Sequence, residues 1–106
     1  MGKDSIDKTQ EEIVEEIAKA LGHSGYLLEI VLDKMAELEK KMARIEDIER
    51  YNILADEFNA LRKEAFAKRE MLMIHREAIG IRKNMYVDAS YQIPPKKKMK
   101  KAHETD

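Results

Sequence analysis

Four glutamates, Glu11, Glu12, Glu15 and Glu16, are the densest group of metal-capable side chains in this 106-residue sequence. Carboxylates four residues apart share a helix face, and hard cations such as Mg²⁺ take oxygen ligands. Near a helix N-terminus the same acids are equally well served by the helix dipole and by water, and that solvated role is the expectation. The histidines form no site by spacing, since His23 falls in a turn, His75 on a helix and His103 near the C-terminus. Leu72 stands three residues before His75, where a di-metal carboxylate bundle would place Glu. Cysteine is absent, which excludes disulfides and thiolate metal sites. Gly22 and Gly25 flank a helix turn without the lysine of a phosphate-binding loop. No catalytic, cofactor-binding or metal residue is assigned, and the chain is expected not to be an enzyme.

With acids also on the following helix, the glutamate stretch resembles the first metal motif of the all-α nucleotide pyrophosphohydrolases of the MazG type, in which two helices hold Mg²⁺ against a triphosphate. The resemblance would imply Glu12 with Glu15 or Glu16 as one ligand pair. That family's second motif is Glu-x-x-Asp, whereas Glu29 and Asp33 are one residue too far apart. The family is not adopted.

Two other patterns suit binding. Arg62, Arg69, Arg76 and Lys83 recur every seventh residue, a rise of about 10.5 Å along a helix, and Lys96, Lys97, Lys98, Lys100 and Lys101 follow near the C-terminus. Such a stripe and tail could follow phosphates and release counterions, so nucleic-acid binding is the alternative function. Met71, Ile74, Ala78, Ile81 and Met85 step by 3 and 4, forming an apolar seam beside the one that runs through Leu54, Phe58, Leu61, Ala65, Leu72, Ile79 and Tyr86. Two apolar faces need two partners, so the Met71 to Met85 face is expected to contact a second copy of the chain or another helical protein. His75, between the seams, is expected to be a boundary residue or a polar device at an interface.

The positioning elements are helices. The chain is 43% hydrophobic and 39% charged, with only four Gly and two Pro. Thr9 and Glu12 have capping-box spacing, and Ile13, Val14, Ile17, Ala18 and Leu21 give one apolar face, predicting a first helix over 9–21 closed by Gly22. Leu28, Val31, Met35, Leu38, Met42 and Ile45 carry a heptad pattern, predicting a second helix over 25–50. The rhythm changes after Ile45. Either one very long helix continues with a discontinuity in its repeat, or the chain reverses near 51–55 with Asn52 as a left-handed stop and Asp56 as the next cap. The hairpin is the favoured reading, with a third helix over 54–88, and Gly80 marks a kink, a close-packing site or an end. Pro94 and Pro95 force extended backbone, and the lysine-rich residues 94–106 are expected to be a disordered tail.

Charge divides along the chain. Residues 1–57 hold 15 acidic and 8 basic side chains, a net of −7, and residues 58–106 hold 6 and 12, a net of +6. An acidic helix folding back on a basic one, or meeting it on a second copy, accounts for that division.

The expected architecture is therefore all-α: a single helical domain over 1–93, a three-helix bundle built on a long coiled-coil-like hairpin, with a disordered basic tail. The expected function is that of a non-enzymatic adaptor or regulatory protein, homodimeric or bound to another helical protein. No apolar run approaches a bilayer span and no secretory leader is evident, so a cytoplasmic location is expected.

Overall fold

A computed structural model describes residues 2–81 and 85–101, with side chains described at 9–81 and 87–101. The elements are α1 (Gly2–Arg44), α2 (Ile48–Ala78) and α3 (Met85–Ser90), and no strand occurs among the described residues. α1 and α2 pack together as a long antiparallel hairpin, so the all-α, hairpin-based expectation holds. In place of three bundled helices over 9–21, 25–50 and 54–88, the first two are continuous in α1, and α3 adds a short third helix of six residues.

α1 runs unbroken through Gly22 and Gly25, where the sequence predicts a helix end and a second start. The physical reason is the seam: Val14, Ile17, Leu21, Ser24, Leu28, Val31, Met35, Leu38 and Met42 step by 3 and 4 across both glycines. A glycine in a helix interior costs about 1 kcal/mol against alanine, whereas burying one aliphatic side chain contributes about 1.5–3 kcal/mol. Burial of Leu28, Val31 and the residues after them offsets Gly25, and the stripe keeps the same phase through Gly22 to Ile17 and Val14, which are not buried within one chain.

The reversal also comes earlier than predicted. α1 stops at Arg44, and α2 begins at Ile48 behind Asp47, not near 54 behind Asp56. Asp47 has extended backbone, and its carboxylate accepts the N–H of Arg50 at 3.1 Å, satisfying one of the donors that a helix start leaves open. Ile45 closes the first helix by bonding the Met42 carbonyl at 3.3 Å. Asn52 and Asp56 lie inside α2.

α2 ends at Ala78, ten residues short of the predicted helix. Gly80 takes a φ of +89°, its N–H bonds the Glu77 carbonyl at 2.9 Å, and the Ile81 N–H bonds the Arg76 carbonyl at 2.9 Å. That pair of bonds is a Schellman closure, which needs a left-handed residue and hence favours glycine.

The core is one seam. Leu28, Val31, Met35, Leu38 and Met42 of α1 meet Ala55, Phe58, Ala65 and Leu72 of α2, with Val87 of α3 closing one end. The alanines leave room for Phe58, Leu28 and Met35, which are fully enclosed. Because the core is a line of side chains, the molecule is a rod of 80 × 20 × 16 Å with a radius of gyration of 20.1 Å, against about 13 Å for a compact domain of this size.

Residues 92–101 have neither helix nor strand structure. Where the sequence predicts a disordered tail from residue 94, residues 94–101 lie back along α2 as an extended strap. Polar side chains of α2 hold its main chain.

Candidate interaction surfaces

Three surfaces flank the hairpin seam. The first is the N-terminal arm. Ser24 and His75 are hydrogen-bonded at 2.6 Å, so the antiparallel partner of α1 runs out about level with Leu21, and residues 2–20 project roughly 28 Å beyond it. The seam does not stop there. Val14 and Ile17 continue it in phase, beside Ile13, and with α2 gone Ile13 is 53% and Val14 56% exposed. Glu12, Glu15 and Glu16 lie off this stripe in solvent, as does Glu11 at its edge. Among the described residues no group of three or more His, Asp or Glu side chains converges as metal ligands.

The second surface is the outward face of α2. Met71 is 48% and Ile74 51% exposed, and Ala78 is exposed as well. The five-residue contact seam expected from the sequence is interrupted, because the Gly80 closure takes Ile81 off α2, where it is half-buried, and Met85 belongs to α3. The side chain of Met85 lies outside the described residues. His75, expected between the seams, is half-buried and tied to Ser24 of α1.

The third surface is the pair of grooves between α1 and α2. One is open: a cleft of about 710 Å³ lined by Ile30, Leu38, Ala60 and Leu61, with Asp33, Lys34, Glu37, Lys41 and Glu57 around it. The other is filled by the strap. The Asn59 amide donates to the Lys97 carbonyl at 2.9 Å and accepts the Lys97 N–H at 2.8 Å. Two helical turns away, Asn52 grips Lys100 in the same way, at 2.9 and 2.7 Å. Arg62 donates to the Pro94 carbonyl at 2.9 Å and Arg69 to that of Tyr91 at 3.5 Å. Both guanidinium groups lie over the Phe66 ring, 4.8 and 5.1 Å from its centre. At the α3 end, the Tyr91 hydroxyl lies close to Gly25, where an added methyl group would stand 3.4 Å from the tyrosine oxygen. The Tyr91 hydroxyl donates to Glu29 at 3.4 Å.

This arrangement divides the basic residues that the sequence offers for nucleic acid. Lys97 pairs with Glu39 at 2.9 Å and lies 5.0 Å from the centre of the Phe58 ring, and Lys100 is 3.9 Å from that of Tyr51. Arg62 and Arg69 face the strap, and Arg76 is half-buried in the cleft between Leu21, Leu72 and Val87. Lys96, Lys98 and Lys101 remain exposed, as does Lys100 beside its ring, with Lys96 and Lys98 lining a cleft beside Lys63. Lys83 lies outside the described residues. Sequence reasoning missed Asn52, Asn59 and Glu39. The available signal was an Asn pair seven residues apart, matched by two lysines three apart after a Pro pair.

No helix among the described residues is long and apolar enough to cross a membrane. No protein-family model, curated protein or solved structure matches the chain, so any functional reading rests on these surfaces.

Proposed function

We propose that this chain is a non-enzymatic helical interaction protein that self-associates through unpartnered helix faces, chiefly the N-terminal arm of α1. The observation that carries the reading is the α1 seam, which runs in phase past the end of α2 and leaves Ile13 and Val14 more than half exposed. No helix of the hairpin lies beside this arm, so the apolar stripe along it calls for a covering helix from outside. The exposed Met71 and Ile74 on α2 extend the apolar surface available to a second copy.

Sedimentation equilibrium tests this. The wild-type chain is expected to associate, and Val14→Asp with Ile17→Asp to return it to a monomer with the hairpin still helical by circular dichroism. Ile74→Asp separately reports whether the α2 face takes part. A wild-type chain that stays monomeric at high micromolar concentration would remove the self-association reading.

A second reading, nucleic-acid binding, is favoured by Lys96, Lys98 and Lys101, which the strap holds exposed, the first two beside Lys63. Replacing those three strap lysines by alanine should then reduce the salt slope of binding to a generic duplex by about three. An unchanged slope would exclude the strap.

A further inference from the structure

The filled groove has the chemistry of a peptide receptor. Its contacts fall on the main-chain groups of Tyr91, Pro94, Lys97 and Lys100, every third residue of the strap. A three-residue period is that of polyproline II, which rises about 3.1 Å per residue and leaves its backbone groups free for outside partners. Three such residues span about 9.3 Å, close to the roughly 10.5 Å between Asn52 and Asn59 on α2. The Asn52 to Asn59 and Arg62 to Arg69 steps of the helix therefore match the period of the strap.

The contacts also define a preferred sequence. At 97 and 100 both N–H and C=O are bound, so proline cannot stand there; at 94 only the carbonyl is used, and proline fits. Glu39 and the Phe58 ring select a cation at 97, and the Tyr51 ring selects one at 100. Independently of the arm, we infer that the groove of Asn52, Asn59, Arg62, Arg69 and Glu39 is a binding site for polyproline-II peptides with a proline pair followed by lysines three residues apart. Residues 91–101 are its ligand in cis, and a segment of the same chemistry from another protein competes for it. The linker gives the resident strap an effective concentration in the millimolar range, so the site opens to a competitor when the strap's own lysine contacts weaken.

The test uses the full-length chain and a fluorescein-labelled peptide spanning residues 91–101, read by fluorescence anisotropy. Lys97→Gln with Lys100→Gln weakens the cis ligand and leaves the receptor side intact, so this variant should bind the peptide about tenfold more tightly than the wild type. Adding Asn52→Ala and Asn59→Ala should abolish that binding. Alanine favours helix more than asparagine does, so α2 persists, and circular dichroism checks it. A scrambled peptide of equal charge, with its lysines out of register, should bind far more weakly. No gain on weakening the strap, binding indifferent to the asparagines, or equal binding of the scrambled peptide would each overturn the assignment.

Discussion

Replacing Asn59 by alanine separates the strap from the hairpin it lies on. Asn59 gives the strap two hydrogen bonds of 2.9 and 2.8 Å in a half-buried setting. At about 1 kcal/mol net for each bond, docking of the strap should weaken by about 1–2 kcal/mol. The higher helix propensity of alanine does not offset this, because α2 stays helical whether the strap is docked or released, and the gain cancels between the two states. The informative probe is the amide of Lys100, which bonds Asn52 and not Asn59. If residues 91–101 dock as one cooperative unit, native-state hydrogen exchange at Lys100 should accelerate by about 5- to 30-fold. Amides of Leu28 and Phe58, inside the two long helices, should not change. An unaltered Lys100 amide would show that the clamps act independently, and equal acceleration at Leu28 and Phe58 would show that the strap cannot leave without unfolding the hairpin. Either result refutes a separable strap.

Three further substitutions probe the frame. Gly22→Ala should raise stability by about 0.5–1 kcal/mol in denaturant unfolding, since a methyl group there meets nothing within 4 Å and glycine is costly inside a helix. Gly80→Ala should lower stability by about 1–2 kcal/mol, because its φ of +89° is strained for any L side chain; an unchanged thermal midpoint would refute the Schellman closure of α2. Phe58→Ala should cost about 3–5 kcal/mol in denaturant unfolding, as it empties the largest enclosed site in a core only one seam wide, and a loss below about 1 kcal/mol would mean that the rod collapses around the gap.

The sequence by itself determined the helices and the seam. Of Leu28, Val31, Met35, Leu38, Met42 and Ile45, chosen from their 3 and 4 spacing alone, all but the half-buried Ile45 are buried, and Phe58, Ala65 and Leu72 face them from the returning helix. Periodicity reports which face a helix buries because every turn must repeat the choice. Punctuation was less legible: Gly22 reads as a stop and Asn52 as a reversal, yet each lies within a helix. Glycine and asparagine permit a break but do not require one, and the unbroken phase of the apolar stripe decides. Only the tertiary structure placed the strap. Lys97 and Lys100 belong to a run of lysines that in isolation repels itself into solvent. It is Asn52, Asn59, Glu39 and two aromatic rings, some 40 to 60 residues earlier in the chain, that fix their positions. Neither the asparagine pair nor the lysine pair announces the other, because each side chain answers to a surface that exists only once the hairpin has formed.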